Sequence, residues 1–133
     1  MLKVYPAIFE KDGDGYLIDF PDVQGAFTGI DENNIAYGIT MAEEVLGMVL
    51  ADMVESGEDL PKPTPSEKLK APDGGLVTLV KVDLEKYFRD HTPVKKTLTI
   101  PTWANNLGLK EGINFSQLLT TAIAKNATTG NYE

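Results

Sequence analysis

The sequence predicts an α+β fold in which a β-β-β-α-β domain is followed by a smaller module of one strand and two helices. Three observations support this prediction. β-rich runs separated by turn residues fill the first thirty residues, the apolar period then becomes helical over residues 31–56, and an alternating strand precedes two short helices after residue 94. At 133 residues and 42% hydrophobic content, the chain can bury one ordinary core and carry an appended module.

The first three elements are predicted to form a β-meander. Residues 2–9 and 16–20 are two strands of a hairpin, because the run DGDG at residues 12–15 tolerates the positive φ angles of a tight turn. Residues 25–30 (GAFTGI) follow a Pro-Asp pair and indicate a third short strand.

Residues 31–56 are predicted to form one helix that lies flat on the sheet. Asp31 and Glu32 suit its N-terminus, and Gly57 suits its C-terminus. Apolar residues at alternating spacings of four and three define its packing side: Ile35, Ile39, Ala42, Leu46, Val49 and Met53. Further apolar residues widen this stripe, namely Met41, Val45 and Met48, and we interpret the methionines as core.

The rest of the first domain returns the chain to the sheet. Residues 58–75 contain four prolines and end in Asp-Gly-Gly, which predicts an extended crossing segment. Residues 76–82 (LVTLVKV) are predicted to form a strand of the same sheet, and residues 83–90 one or two helical turns. We therefore expect a domain at residues 1–90, a linker at 91–94 and a second module at 95–133.

The strand of the second module is predicted at residues 95–100, and it has two different faces. Side chains of a strand alternate, so Leu98 and Ile100 lie on one face with the stem of Lys96. The other face is polar and consists of Lys95, Thr97 and Thr99. One face is expected to pack and the other to face a partner.

Two short helices are predicted after this strand. Pro101 suits the first turn of a helix over residues 102–109, and either Asn114 or Ser116 can cap the second helix. A module with a single strand cannot satisfy its strand edges or bury its apolar residues alone, so we expect it to pair with another copy. The predicted dimer core consists of Leu98, Ile100, Trp103, Leu107, Phe115, Leu119 and Ile123.

Charge is distributed unevenly along the chain. The net charge is -8, but residues 1–90 hold 8 basic and 18 acidic residues, whereas residues 91–133 hold 4 and 2. This contrast of -10 with +2 favours a cationic partner for the body and an anionic partner for the tail. The alternative is that the acidic surface only keeps the protein in solution.

The composition also excludes several classes. The chain has no cysteine, so disulfides, thiol nucleophiles and cysteine metal sites are excluded. The first residues contain no apolar stretch of signal-peptide length, and no run approaches a membrane span, so we expect a cytoplasmic protein without a membrane partner.

The ordered motifs resemble the HicB antitoxin family over nearly the whole chain. KKTLTIP at residues 95–101, followed by WANNL and GINFSQ, is similar to the family's C-terminal ribbon-helix-helix module. The runs YPA at residues 5–7, FPD at 20–22, GAFT at 25–28 and VKVDL at 80–84 resemble its N-terminal domain, a truncated ribonuclease-H-like fold. No single run is specific, but their order is.

The resemblance implies a type II antitoxin. The N-terminal domain would neutralise a small, RNA-cleaving HicA-type toxin with a catalytic histidine, and the C-terminal module would repress the shared operon by binding double-stranded operator DNA as a homodimer, with higher oligomers left open. The alternative is a stand-alone ribbon-helix-helix regulator whose N-terminal domain senses a small ligand.

The polar strand face supplies the expected DNA contacts. An antiparallel two-stranded ribbon fits the major groove, where Lys95, Thr97 and Thr99 would face base edges. Backbone N–H groups at the start of the second helix, around Asn114, Phe115 and Ser116, would bind phosphates.

Other chemistries have little support in the sequence. The acidic loop after Glu10 resembles a calcium loop, but its twelfth position is Pro21 and strands flank it. A two-metal nuclease would need converging carboxylates, which Asp19, Asp22 and Glu44 do not provide at helical spacing. The single histidine, His91, lies in the linker without a nucleophile. We expect no enzyme activity, no catalytic residue, no metal and no cofactor.

Overall fold

In a computed structural model, which describes residues 1–127, the chain forms two compact units that divide between Asp90 and His91. The first unit contains β1 (Leu2–Asp12), β2 (Gly15–Asp19), β3 (Phe27–Ile30), α1 (Ile35–Glu55) and β4 (Leu76–Asp83). The predicted β-β-β-α-β order is confirmed.

The four strands form one antiparallel sheet in the order β3-β2-β1-β4. The central strand β1 pairs with β2 through its second half and with β4 from Leu2 to Phe9, so the last strand joins the same sheet as expected. The hairpin closes at the pair Asp12 and Gly15, and Gly13 has a φ of 59°, as in a type II′ turn.

The core lies between α1 and one face of the sheet. Tyr5, Ala7 and Phe9 alternate along β1 toward the helix and are buried. Ala42, Leu46 and Leu50 of α1 are buried against them. The sheet and one helix thus form a complete two-layer domain.

The helix begins later than predicted. Asn34 is its N-cap, with a side-chain oxygen that accepts a hydrogen bond from the Tyr37 N–H at 3.0 Å, so the start assigned to Asp31 and Glu32 was wrong. The predicted end at Gly57 is confirmed. Gly57 has a φ of 79°, and the next N–H, of Glu58, bonds back to the Met53 carbonyl at 2.9 Å.

The buried stripe of α1 is rotated from the predicted one. Ala42 and Leu46 are buried as expected, but the stripe also includes Gly38, Gly47, Leu50 and Ala51. Both glycines leave room for a ring, Gly38 for Phe9 and Gly47 for Tyr87. Met48, predicted to be core, is 51% exposed.

The strand β3 is shorter than predicted because residues 20–26 form turns. The N–H of Phe20 bonds to the carbonyl of Ala26, and the N–H of Val23 bonds to the carbonyl of Phe20, both at 3.1 Å. Gly25 has a φ of 88° and therefore belongs to these turns.

The crossing segment is extended, apart from one 3-10 turn at Ser66–Lys68. Hydrogen bonds from β1 and from the turns after β2 hold it at two points. The Tyr5 hydroxyl donates to the Pro61 carbonyl at 2.5 Å. The Asp22 carboxylate accepts hydrogen bonds from the Thr64 N–H at 2.8 Å and from its hydroxyl at 2.5 Å.

A 3-10 turn at Leu84–Lys86 replaces the one or two helical turns expected at residues 83–90. The chain then leaves the first unit beside the end of α1. The Glu55 carboxylate accepts hydrogen bonds from the N–H groups of Arg89 and Asp90, at 3.0 to 3.2 Å.

The second unit contains α2 (Thr102–Lys110) and α3 (Phe115–Ala127), so both predicted helices are present. Residues 91–101 form no strand ladder within the described chain. A strand that pairs only with a second copy has no ladder in a single chain, so the strand at residues 95–100 stays a prediction.

Candidate functional site

The second unit has almost no core of its own. Within residues 91–127, Gly108 is the single buried residue. Large apolar side chains are exposed throughout this unit: Val94, Leu98, Ile100, Trp103, Leu107, Leu109, Ile113, Phe115, Leu118, Leu119 and Ile123. An apolar surface of this extent marks an interaction site, because monomeric soluble proteins rarely leave such patches in water.

Part of this apolar surface forms a groove of about 700 Å³. One side consists of Lys96, Leu98 and Ile100, which alternate along the predicted strand. The other side is the apolar side of α3, with Phe115, Leu118, Leu119 and Ala122. The residues that the alternation assigned to the packing face thus line one groove.

The structure brings together some of the predicted core residues and separates others. Leu98, Ile100, Phe115 and Leu119 line the groove, whereas Trp103, Leu107 and Ile123 do not. Trp103 is 70% exposed. Leu118 and Val94 also line the groove, although the sequence analysis did not place them in the core.

The two helices contact each other at Gly108. A Cβ atom at this position would lie 2.5 Å from the Phe115 ring, so only a glycine allows the ring to pack there. Gly112, with a φ of 68°, and a bond of 2.9 Å from the Ile113 N–H to the Gly108 carbonyl end α2 above this contact.

The start of α3 is capped by Asn114. Its side-chain oxygen accepts a hydrogen bond from the Gln117 N–H at 3.0 Å, which decides between the two cap candidates. Ser116 lies inside the first turn. The N–H groups of Phe115 and Ser116 therefore lie in the part of a helix that favours anions.

The polar residues of the predicted strand are all exposed: Lys95, Thr97 and Thr99. None of the three lines the apolar groove, which is consistent with the alternation of side chains along an extended segment.

Grooves at the surface of the first unit include one on the sheet and one beside the helix. One, of about 750 Å³, lies on the sheet face opposite α1 and includes Leu17, Phe27 and Asp19. The other, of about 670 Å³, lies beside α1 and includes Met48 and Asp52. Both contain more carboxylates than basic side chains.

The three carboxylates that the sequence analysis considered for a two-metal nuclease lie in three different surroundings. Asp22 binds Thr64, Asp19 lies on the exposed sheet face, and Glu44 lies on the exposed side of α1.

The described residues also show one perturbed tyrosine and no metal cluster. Burial, and then the charges of Glu43 and Glu44, raise the pKa of Tyr87. Within residues 1–127, no group of three or more His, Asp or Glu side chains is arranged to hold a metal ion. In the same range no helix is long and apolar enough to cross a membrane.

Comparison with known proteins shows which family this chain resembles. The family model that matches residues 5–106 describes a HicB-like antitoxin of a bacterial toxin-antitoxin system. An uncharacterised 14.9 kDa protein of Haemophilus phage HP1 is 36% identical over 84 residues, which span 61% of this chain and 62% of the phage protein. The match thus covers less than two thirds of that relative's length.

Solved structures show the same likeness. A chain of a toxin-antitoxin complex from Streptococcus pneumoniae is 35% identical, with a TM-score of 0.61, over 95% of this chain and 99% of that one. A chain of the HicA3 and HicB3 toxin-antitoxin complex is 26% identical, with a TM-score of 0.50, over 61% and 99%. The antitoxin HicB of Burkholderia pseudomallei, 23% identical over 90% and 95% with a TM-score of 0.54, shares the fold.

Proposed function

We propose that this chain, which belongs to the HicB-like antitoxin family of bacterial toxin-antitoxin systems, binds a small HicA-type toxin with its first unit and operator DNA with its second. The observation that supports these two separate roles is the contrast between the two units. The first has a complete core and an acidic surface, whereas the second exposes its apolar residues and carries a net positive charge.

The second unit would act as a ribbon-helix-helix dimer. Its groove is open on a single chain, and two copies would bury Leu98 and Ile100 against α3 of both chains. Pairing of residues 95–100 with the same residues of a second copy would also satisfy the strand's backbone groups. Trp103, Leu107 and Ile123 would complete the apolar core.

The polar face of that ribbon would contact DNA bases. Lys95 can donate to guanine O6 and N7, and the hydroxyls of Thr97 and Thr99 can donate or accept. The first-turn N–H groups of α3, at Phe115 and Ser116 beside the cap Asn114, would bind a phosphate on each side of the groove. A symmetric dimer predicts a palindromic operator.

The first unit would capture the toxin. Matches to chains of toxin-antitoxin complexes support a HicA-type partner. RNA-binding proteins are commonly basic, so the charge of -10 on residues 1–90 would speed encounter, and apolar surface would hold the complex. Covering the toxin's RNA-binding surface or its histidine would block RNA cleavage.

Operator binding tests the DNA half of the proposal. The full chain should bind DNA from upstream of its own gene, and affinity should fall steeply with salt because phosphate contacts release counterions. A variant with Thr97→Ala and Thr99→Ala should bind the operator at least about tenfold more weakly, while dimerisation and toxin binding stay unchanged. Thr121→Ala, an exposed threonine of α3, is the matched control. Unchanged affinity, or a flat salt dependence, would contradict the proposal.

Co-expression tests the toxin half. A small basic protein encoded beside this chain should stop growth when produced alone and should be silenced when the full chain is produced with it. Pull-down of the pair shows whether silencing occurs by direct binding. If the two proteins do not associate, the antitoxin assignment of this chain to that neighbour is wrong.

A further inference from the structure

The sheet of the first unit has one open face, opposite α1, and this face carries large exposed apolar side chains. Phe27 of β3 lies opposite Asp19 of β2, which lies opposite Ile8 of β1, so these three side chains form one row. Leu17 lies on the same face, two residues before Asp19. Phe27 is 67% exposed and Leu17 is 50% exposed.

A groove lies beside this row, and we call it the open-face groove. The end of the crossing segment forms its wall. The wall consists of residues 70–73. Its position is fixed, since the Gly75 N–H bonds to the Pro72 carbonyl at 2.9 Å and a Cβ at Gly75 would collide with the Phe9 carbonyl oxygen. A preformed wall lowers the entropic cost of binding a partner.

The charges around the open-face groove are mostly negative. Three carboxylates line it, from Glu10, Asp19 and Asp73, against the single ammonium group of Lys70. Lys11 does not add to the positive charge there, because it pairs with Tyr16 and its ammonium lies 4.8 Å from the centre of that ring, on the helix side of the sheet. The groove therefore complements a basic partner.

A partner can also approach the groove from the side. The strand β3 is an edge of the sheet, and within residues 1–127 no further strand pairs with its outer side. Phe27 begins this edge strand. An exposed aromatic side chain can anchor a protein partner, and an open sheet edge can pair with a strand of that partner.

We propose that the open-face groove is the docking site of the basic toxin, an inference that rests on the toxin binding proposed above. An apolar side chain of the toxin packs against Phe27 and Leu17, and its lysine or arginine side chains reach Asp19 and Glu10. The groove beside α1 is lined by three carboxylates and one basic side chain as well, so charge does not distinguish the two grooves. The apolar anchor does, because the most exposed apolar side chain beside α1 is the flexible Met48, whereas the open-face groove presents the rigid ring of Phe27.

The test compares the two grooves in the full chain. The probe is the toxin encoded beside this chain, with its catalytic histidine replaced. Calorimetry measures the affinity, and stopped-flow fluorescence measures the association rate. Phe27→Ala should weaken binding about thirtyfold, as for an anchor residue. Asp19→Lys should slow association and reduce its salt dependence. Met48→Ala, the matched control in the other groove, should change affinity less than about twofold.

The outcomes separate this inference from the function on which it rests. If the wild-type chain does not bind the toxin, the proposed function fails. If it binds and Met48→Ala weakens binding while Phe27→Ala and Asp19→Lys do not, the docking site is wrong although the function stands. If Phe27→Ala instead changes the oligomeric state without changing toxin binding, the groove joins copies of this chain. Thermal melting should show all three variants folded, because the replaced side chains are exposed.

Discussion

The two units of this chain differ in how much of their apolar surface is buried. The first places Tyr5, Phe9 and Leu46 between a sheet and a helix, where water does not reach them. The second leaves Leu98 and Phe115 exposed on short helices and an unpaired segment. The first unit therefore has a core of its own, whereas the second would gain one only through the proposed dimer. In that dimer, folding and dimerisation of the second unit would be one equilibrium.

This contrast matters for function because the proposed DNA surface is created by the same association. A single copy of residues 95–100 presents one polar row, whereas a paired ribbon presents two that are related by symmetry. The affinity for the operator should then fall when the protein is diluted below the dissociation constant of its dimer, whereas the affinity of the first unit for the toxin should not change.

The strongest test separates the two units at residue 98. Leu98→Glu should weaken the dimer at least about a hundredfold, because an unpaired carboxylate would enter the apolar groove in both copies. The melting of the first unit should not change. Sedimentation measures the dimer, and circular dichroism measures the melting.

The neighbouring residue is the matched control for this test. Thr97→Glu introduces the same charge on the polar face, so the dimer should persist while operator binding is lost. If Thr97→Glu dissociates the dimer and Leu98→Glu does not, the two faces of the segment are reversed.

The second prediction concerns the first unit alone. Gly38→Ala should lower its free energy of unfolding by about 2 kcal/mol, because the new Cβ would lie 2.7 Å from the fully buried Phe9 ring. Gly47→Ala should be nearly neutral, since the half-buried Tyr87 ring can move away and alanine favours the helix. Urea denaturation measures both. Equal effects would mean that the core yields at Phe9 as readily as the surface does at Tyr87.

These glycines also show why part of the fold was not predictable. The DGDG turn and the helix end at Gly57 were predicted correctly, because positive φ angles leave a local signal in the sequence. The buried stripe of α1 was misplaced, because a glycine is buried by the aromatic ring that another element brings to it. The helix start was misplaced because two local signals compete. Asp31 and Glu32 suit the first turn of a helix, and Asn34, three residues after Asp31, suits an N-cap equally well.

The candidate site shows the same limit at a larger scale. Alternation grouped Leu98 with Ile100 from local sequence alone, and both line the groove. The position of Trp103 outside that groove was not predictable, because helical spacing gives a side but not the residues that it contacts, and its place in the dimer core stays a prediction. The proposed pairing of residues 95–100 would involve a second chain, and a single chain would hold only half of that contact.

A third, smaller effect is expected at the crossing segment. Tyr5→Phe removes the hydroxyl that donates to the Pro61 carbonyl and should lower the free energy of unfolding by about 1 kcal/mol. Tyr16→Phe is the control, because its hydroxyl makes a longer bond, of 3.2 Å, to the Asn33 side chain and should matter less. Denaturant titration of the two variants compares them directly. A larger effect of Tyr16→Phe would contradict this ranking of the two hydroxyl bonds.

A last effect, of similar size, concerns a charge inside the first unit. Lys3 is 2% exposed on the helix side of β1, and this burial lowers its pKa below the ordinary value of 10.5. Between the lowered pKa and 10.5 the unfolded chain binds more protons, so wild-type stability should rise with pH in that window. Below the window the charged form costs stability, and Lys3→Met should therefore stabilise the first unit by about 1 kcal/mol at neutral pH.

The pH dependence of the difference distinguishes desolvation from packing. The advantage of Lys3→Met over the wild type should shrink as the pH is raised toward 10.5, because the wild-type ammonium group then loses its charge. Lys81→Met, an exposed position on β4, is the control and should show no such trend. If Lys3→Met destabilises the protein at neutral pH, the contacts of the buried ammonium outweigh its desolvation. The first unit would then depend on a polar interaction within its core, and not on apolar burial alone.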